Sequence, residues 1–270
     1  MPLAAVLQMT SSPHVVENLL TARQLLEQAR DAGAVLAVLP ENFALMGVTE
    51  TDKFAVAENP GHGPIQDMLA ETASALRLWI IGGTIPLKLE NDARVAPACL
   101  VFNADGRQVA RYDKIHLFDV DLPGRAEQYR ESATMAPGQT PVVVATPIGN
   151  VGLTVCYDLR FPELFRKLEN QGAQIFSVPA AFTAPTGLAH WEVLLRARAV
   201  ENLAYVLASA QSGLHANGRE TYGDSLIVDP WGKIPGRRPE GTGLVVAEID
   251  LTHQRELRER FPVLQHRRHF

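Results

Sequence analysis

The sequence predicts an α/β fold, because short apolar runs alternate with amphipathic segments along its whole length. The apolar run PLAAVLQM comes first, apolar residues then recur at spacings of three and four over 14–32, and a second apolar run, AVLAVL, follows at 34–39. The spacing is typical of a helix with one buried stripe, and an uninterrupted apolar run is typical of a strand covered on both faces. The chain therefore opens with a strand, a helix and a second strand.

The later elements are predicted in the same way. A helix begins at Pro64, since proline is favoured in the first turn, and the segments NADG (103–106) and PIGN (147–150) are turns between paired strands. Hairpin-like pairs among the crossovers predict mixed rather than purely parallel sheets. The predicted helices cover residues 14–32, 64–76, 162–171, 188–202 and 252–260. The predicted strands cover residues 2–9, 34–39, 78–84, 98–103, 107–111, 141–146, 151–156, 175–178, 204–210, 224–229 and 243–249.

Composition excludes several classes of protein. The 270 residues are 46% hydrophobic and 20% charged, as in ordinary globular proteins, and the net charge of -5 offers no footprint for nucleic acid. No apolar stretch approaches the length of a membrane helix, and MPLAAVLQMT has no basic segment before its apolar run, so we expect a cytoplasmic protein without membrane partners. Since no linker or repeat interrupts the chain, we expect one domain over residues 1–270, with 261–270 as a C-terminal tail.

The chain contains two cysteines, which is too few for a disulfide framework or a cysteine-based zinc site. Cys99 lies inside the apolar run ACLVF, as expected of a small buried residue. Cys156 ends the predicted strand VGLTVC and precedes a predicted helix, whose amides favour a thiolate. Taken alone, this pattern fits a nucleophile and a buried core residue equally well.

A nucleophilic thiol needs a base and a group that holds an oxyanion. The predicted strand AVLAVL leads directly into PENF, which places Glu41 at a strand end. The predicted strand that ends near Arg111 leads into YDKIHLFD, which places Lys114 and His116 at another. Each of these residues, taken alone, is more typical of a solvated surface charge.

Three blocks, LPENF, YDKIHLFDVDLPG and VGLTVCYDLRFPEL, resemble in this order the nitrilase (carbon-nitrogen hydrolase) superfamily, and AHWEVLLRARAVEN, YGDSLIVDPWG and PVLQHRR extend the resemblance over nearly the full chain. The resemblance implies a catalytic triad in which Glu41 is the general base, Lys114 stabilises the tetrahedral intermediate and Cys156 is the nucleophile. It also implies a second glutamate followed by Ser and then Pro-Gly. Glu131 in YRESATMAPG fits that pattern, whereas Glu127 in RAEQ does not.

The same resemblance implies a four-layer αββα sandwich that commonly dimerises, and therefore a homodimer or a higher homo-oligomer. It implies neither a metal nor an organic cofactor. The backbone amide of Tyr157 is implied as a donor to the oxyanion, and the expected partner is a small-molecule amide substrate.

The residues after the cysteine, CYDLRFPEL, are similar to the Nit branch of amidases within this superfamily. WEVLLRARAVE and PVLQHRR look more like the members that act on deaminated glutathione than like the omega-amidases, which act on 2-oxoglutaramate. The resemblance thus implies hydrolysis of deaminated glutathione to 2-oxoglutarate and cysteinylglycine, a metabolite-repair reaction. Two alternatives stay open: an omega-amidase or other small-amide hydrolase, and a non-catalytic binding protein that retains the fold.

The substrate implied by the resemblance presents a 2-oxo acid, so its site should bind a carboxylate. Arg160 lies four residues after the cysteine and can supply a bidentate fork, although a salt bridge to Asp158 or Glu163 is the alternative. Similarity to the branch also places Phe182 and Thr186 of AAFTAPTG along the pocket wall. For Phe182 an ordinary core position is as good an interpretation.

Overall fold

A computed structural model of the chain describes residues 1–122 and 127–268. The strands in this part of the chain are, in order, β1 (Leu3–Gln8), β2 (Ala34–Val38), β3 (Trp79–Ile81), β4 (Ile85–Leu89), β5 (Asp92–Phe102), β6 (Gln108–Asp113), β7 (Asp119–Asp121), β8 (Gln128–Arg130), β9 (Val143–Thr146), β10 (Gly149–Leu153), β11 (Ile175–Ala180), β12 (Tyr205–Ala210), β13 (Ser212–Leu214), β14 (Glu220–Tyr222), β15 (Ser225–Val228), β16 (Gly236–Arg238) and β17 (Gly243–Glu248). The helices are α1 (Val15–Asp31), α2 (Asp52–Ala55), α3 (Pro64–Leu76), α4 (Pro162–Asn170), α5 (Ala184–Asn202) and α6 (Leu251–Arg260), and 3-10 helices cover Glu131–Ala133 and Cys156–Arg160.

Two large mixed sheets form the centre of the protein. One has the order β17-β1-β2-β3-β5-β4, with β6 paired to β5, and the other has the order β16-β15-β12-β11-β10-β9. Strands β1, β2 and β3 are parallel, as are β10, β11 and β12, because a helix crosses over between each consecutive pair. The outer strands of both sheets pair in antiparallel fashion. The prediction of mixed sheets is confirmed.

The two sheets pack face to face, and helices cover their outer faces. Strand β1 packs on β12, while α1 and α3 lie on the first sheet and α4 and α5 on the second. Along β1, Ala4 and Val6 belong to the core shared with the second sheet, whereas Ala5 and Leu7 belong to the core under α1 and α3. Since β1 is buried on both faces, its sequence is apolar without alternation. The layers are α, β, β and α, as the resemblance implied.

The structure corrects the prediction around residues 92–103. Strand β5 begins at Asp92 rather than at residue 98, and it pairs with β4, which the sequence analysis did not predict. Pro86 and Pro97 face each other across this pair, and the regular β5–β6 pairing begins one residue later, at Ala98. The missing N–H of Pro97 therefore interrupts no ladder. Helix α5 also begins earlier than predicted, at Ala184, with Pro185 in its first turn.

The predicted C-terminal tail, 261–270, lies within the described residues only as far as 268. Phe261 packs edge-on against Trp231, with ring centroids 5.6 Å apart, and Arg267 bonds to Glu169 at 2.6 Å. The end of the YDKIHLFDVDLPG block, residues 123 and 124, also lies outside the described residues. Among the helices of the described chain, none has the length and apolar character needed to cross a membrane.

Candidate active site

Three segments that follow strands bring Glu41, Lys114 and Cys156 together. Glu41 follows β2, Lys114 comes directly after β6, and Cys156 follows β10. Lys114 Nζ donates to Glu41 Oε1 at 2.8 Å, and the thiol of Cys156 donates to the same carboxylate. Their exposed fractions are only 4%, 1% and 7%. The structure thus places the three residues predicted as a triad in one buried contact group.

Glu131 completes this contact group. It opens the 3-10 helix after β8, and its two carboxylate oxygens both lie 2.9 Å from Lys114 Nζ. The backbone N–H of Phe118 donates to Glu131 Oε2 at 2.6 Å and fixes the carboxylate in place. Glu127, the other candidate, accepts a hydrogen bond from the hydroxyl of Tyr129 at 3.0 Å. Lys114 is therefore held between two carboxylates.

The charges of the group follow from burial and from these contacts. Burial alone would lower the pKa of Lys114, but the charges of Glu131 and Glu41 raise it well above its ordinary value, so Lys114 is an ammonium. Burial alone would raise the pKa of Glu41, but the charge and hydrogen bond of Lys114 outweigh burial and lower it.

The thiol at the centre of the group is neutral at rest. Burial, followed by the negative charge of Glu41, raises the pKa of Cys156 well above its ordinary value. The expectation that helix amides would favour a resting thiolate is therefore wrong, since burial and the adjacent carboxylate outweigh them. A neutral thiol that donates to a carboxylate is arranged for proton transfer to Glu41 during attack.

These protonation states predict a flat pH profile. We expect kcat/KM, measured with an amide that does not itself titrate, to be constant from about pH 5 to about pH 9. In acid, kcat/KM should decline only below pH 4.5, the ordinary pKa of a glutamate, because the pKa of Glu41 is lowered. In alkali, it should change only above pH 9.0, the ordinary pKa of a cysteine, because the pKa of Cys156 is raised. If kcat/KM instead rose about tenfold per pH unit above neutrality, catalysis would require prior ionisation of the thiol.

The backbone at Cys156 explains why the predicted strand ends early. The ladder of β10 stops at Leu153, after which Thr154 donates to Ser177 O through both its N–H, at 3.1 Å, and its hydroxyl, at 2.7 Å. Cys156 then adopts a φ of 49°, in the left-handed region that non-glycine residues rarely occupy and that costs about 1–3 kcal/mol. Such a sharp turn between strand and helix projects a nucleophile beyond the edge of a sheet.

Asp158 fixes this turn, a role that the sequence did not reveal. Its side chain is fully buried, and Oδ2 accepts hydrogen bonds from Val155 N at 2.8 Å and from the Tyr112 hydroxyl at 2.7 Å. Oδ1 accepts from His116 N at 3.1 Å and lies 2.7 Å from His116 Nδ1. Asp158 therefore links the turn of the nucleophile to the segment that follows β6.

Replacing Asp158 with asparagine should weaken the fold and the site together. An amide nitrogen cannot accept the N–H and O–H donors that now face the carboxylate, so we expect the free energy of unfolding to fall by about 2–3 kcal/mol and kcat/KM to fall with it. Chemical denaturation and steady-state kinetics measure the two effects. The matched control is Asp105→Asn, which removes an exposed ion pair to Arg77 and should change stability by less than about 1 kcal/mol. Equal losses of stability in Asp158→Asn and Asp105→Asn would contradict the role of Asp158 in fixing the turn.

An open cleft surrounds the contact group, with an empty volume of about 1050 Å³ including its mouth. Tyr157, Arg160, Phe182 and Thr186, the four residues predicted to bind substrate, all line it. The Arg160 guanidinium lies 5.8 Å from the ring centroid of Tyr157 and 5.2 Å from that of Phe182, and Nη1 is 3.2 Å from Nδ1 of His190. The alternative predicted for Arg160, a salt bridge to Asp158 or Glu163, is not formed in the described part of the chain.

Arg219 lines the same cleft, and the sequence analysis missed it. It lies at the turn between β13 and β14, where its guanidinium lies 5.2 Å from the ring centroid of Tyr129 and Nη2 donates to Ala181 O. The dipeptide Asn217-Gly218 directly before it is a recognised hairpin signal and could have located this turn. Further lining residues outside the prediction are Met46, Lys53, Phe118 and Asn217. Within the described residues, no group of three or more His, Cys, Asp or Glu side chains is placed to hold a metal ion.

Comparison with known proteins agrees with this fold. The carbon-nitrogen hydrolase family model matches residues 3–259. The chain is 44% identical to the deaminated glutathione amidase of Yersinia enterocolitica, over 98% of this chain and 92% of that protein, and 45% identical to that of Synechocystis sp., over 98% and 97%. The crystal structure of Saccharomyces cerevisiae Nit3, a member of branch 10 of the nitrilase superfamily, is similar with a TM-score of 0.89 at 31% identity, covering 99% of this chain and 97% of that one.

The fold and these matches define a hydrolase of the nitrilase superfamily. The chain belongs to the carbon-nitrogen hydrolase family and is an amide-hydrolysing enzyme.

Proposed function

We propose that the protein hydrolyses deaminated glutathione to 2-oxoglutarate and cysteinylglycine, a metabolite-repair reaction. The chemistry rests on the buried contact group, in which a neutral Cys156 thiol donates to the Glu41 carboxylate beside the Lys114 ammonium. The choice of substrate rests on the relatives at 44% and 45% identity, which carry the name deaminated glutathione amidase.

The first half of the reaction forms a thioester. Cys156 Sγ attacks the amide carbonyl carbon while Glu41 takes the thiol proton, and Lys114 stabilises the oxyanion. The N–H of Tyr157 is a second donor. The first hydrogen bond of the 3-10 helix that contains Tyr157 runs from Asp158 N to Val155 O, so the N–H of Tyr157, one residue earlier, is not used within the helix. The carbon–nitrogen bond then breaks, and the leaving amine takes the proton from Glu41.

The second half of the reaction releases the acid. Glu41 takes a proton from water, the water oxygen attacks the thioester carbonyl, and the proton returns to Sγ as 2-oxoglutarate leaves. Glu131 keeps Lys114 in position through both halves, since two of the hydrogen bonds of Lys114 end on its carboxylate. A single oxyanion donor is typically worth about 10²–10³ in rate.

The 2-oxo acid end of the substrate is assigned to Arg160. This guanidinium lies over two aromatic rings, those of Tyr157 and Phe182, which orient it for a carboxylate. Phe182 and Thr186 form the adjoining wall, and the Thr186 hydroxyl lies 2.8 Å from that of Thr183.

A comparison of two substrates tests the proposal. The rate of 2-oxoglutarate release is measured with deaminated glutathione and with 2-oxoglutaramate, which share the acyl group. We expect the higher kcat/KM for deaminated glutathione. A higher value for 2-oxoglutaramate would make the protein an omega-amidase, and no turnover of either amide by the folded protein would support a non-catalytic binding role.

We further propose a homodimer or higher homo-oligomer that forms through α5. On this helix the apolar side chains of Leu188 and Val193 are 77% and 61% exposed, and an interface through α5 would cover them. Trp231, 53% exposed, lies in a turn that α5 holds through a hydrogen bond from Arg196 Nε to Gly232 O at 2.9 Å. The extent of one domain over residues 1–270 and the cytoplasmic location stay predictions.

Charges placed on α5 should dissociate this oligomer. The double variant Leu188→Asp with Val193→Asp is expected to sediment as a monomer, because burying two carboxylates in an apolar interface costs several kcal/mol. Leu20→Asp is the matched control, since Leu20 is 57% exposed on α1, on the other outer face. Sedimentation of wild type as a monomer, or dissociation by the control alone, would contradict the assignment of this surface.

A further inference from the structure

Two arginines of the cleft have no carboxylate partner among the described residues: Arg160 and Arg219. The other basic side chains that line the cleft do have one, since Lys53 pairs with a glutamate at 2.7 Å, Lys114 with two glutamates, and Arg130 with an aspartate at 2.7 Å. An arginine that faces a cleft without a carboxylate is suited to bind one from a ligand.

The two arginines lie at opposite ends of an aromatic row. Tyr157, Phe118 and Tyr129 are in successive contact, with centroid distances of 5.1 Å at both steps. Arg160 lies over the first ring at 5.8 Å, and Arg219 over the last at 5.2 Å. The two arginines therefore contact different rings of this row.

Arg219 lies close to the nucleophile. Ala181 accepts a hydrogen bond from Arg219 Nη2 through its carbonyl and donates its N–H to the thiol of Cys156. The positive charge of Arg219 also contributes to the lowered pKa of Glu41. Since Glu41 returns its proton to the leaving nitrogen, the leaving group lies next to Glu41, in the cleft that Arg219 also lines.

The guanidinium of Arg219 has an unused donor. Its Nε is buried and has no hydrogen-bond partner in the described part of the chain. A buried donor without a partner costs about 1–3 kcal/mol. The hairpin that carries Arg219 is itself fixed, because Tyr222 N donates to Phe182 O at 2.9 Å and Asn217 Nδ2 to Gly47 O at 2.8 Å.

We propose that Arg219 binds the carboxylate of the leaving amine, so that the cleft selects amides with an anionic group on each side of the scissile bond. Arg160 binds the 2-oxo acid of the acyl part, and Arg219 binds the terminal carboxylate of the peptide that departs. This inference rests on the proposed function, since deaminated glutathione has both carboxylates, whereas 2-oxoglutaramate lacks the second one.

Paired substrates and paired variants test the assignment. Wild type, Arg219→Met and Arg160→Met are assayed with deaminated glutathione, with its C-terminal carboxamide and with 2-oxoglutaramate. We expect wild type to prefer the free acid over the carboxamide by about tenfold to a hundredfold in kcat/KM, and Arg219→Met to lose that preference. Arg219→Met should lose about tenfold to a hundredfold more kcat/KM on the free acid than on 2-oxoglutaramate, whereas Arg160→Met should lose activity on all three amides.

The contrary outcomes are distinct. Equal turnover of the free acid and the carboxamide by wild type would overturn the role of Arg219 while leaving the proposed function intact. Equal losses of Arg219→Met on all three amides would show that Arg219 acts through Glu41 or the fold, and would also overturn it. No turnover of deaminated glutathione by wild type would refute the proposed function and this inference together. If Arg219→Met fails to fold, the wild-type comparison of acid and carboxamide still decides.

Discussion

Replacing Cys156 with alanine is expected to lower kcat by at least about 10⁴-fold while leaving the protein folded, as removal of a nucleophile that acts as part of a unit generally does. The side chain is the one thiol in contact with both Glu41 and the N–H of Ala181 among the described residues. Without sulfur no thioester forms, and only the oxyanion donors and substrate binding still accelerate the reaction. Release of 2-oxoglutarate measures the loss, and circular dichroism checks the fold.

The chain supplies its own control for this variant. Cys99 is the second buried cysteine, and burial raises its pKa to about 12, so its thiol is inert. Cys99→Ala should cost only about 1 kcal/mol of stability, for the small cavity, and should leave kcat within about twofold of wild type. Comparable activity losses in the two cysteine variants would show that the effect of Cys156→Ala is structural.

The second large effect is expected at Lys114. Lys114→Met should lower kcat/KM by about 10²–10³-fold through loss of the oxyanion donor, and should destabilise the fold by about 3–5 kcal/mol because Glu41 and Glu131 remain buried without a cation between them. Thermal unfolding and kinetics measure the two effects separately. Lys88→Met, on the exposed part of β4, is the matched control and should change neither.

A double variant separates the two roles of Lys114. Adding Glu131→Gln to Lys114→Met removes one of the two facing carboxylates, so part of the lost stability should return, while the activity should not. Recovery of activity along with stability would contradict a direct role of the ammonium in the reaction.

Much of the fold is predictable from local pattern. The helices α1 and α3 have clear apolar periodicity, and the predicted helix over 64–76 is confirmed with the same ends. The buried parallel strands are equally clear, because strands covered on both faces must be apolar throughout. Strands β4, β7, β8, β13, β14 and β16 were missed, since they are short, rich in glycine, proline or charge, and acquire strand geometry only by pairing with neighbours.

The site was predictable to a different degree. The resemblance of three sequence blocks to the nitrilase superfamily identified Glu41, Lys114 and Cys156. Their positions after predicted strands did not by themselves distinguish catalytic residues from surface or core residues. The roles of Asp158 and Arg219 were not visible, since nothing local distinguishes a buried carboxylate that accepts several hydrogen bonds from one that faces solvent. The neutral resting thiol was also not predictable, because it depends on burial and on a carboxylate far away in sequence.

Formation of an acyl-enzyme on Cys156 tests the central claim most directly. Turnover mixtures with deaminated glutathione are quenched in acid at times from milliseconds to the steady state, and the protein is analysed by intact and peptide mass spectrometry. The mechanism predicts a fraction of the enzyme that carries a 2-oxoglutaryl group on the peptide containing Cys156, and none in Cys156→Ala. Turnover without any adduct at any time, or an adduct that maps elsewhere or persists in Cys156→Ala, would contradict the account.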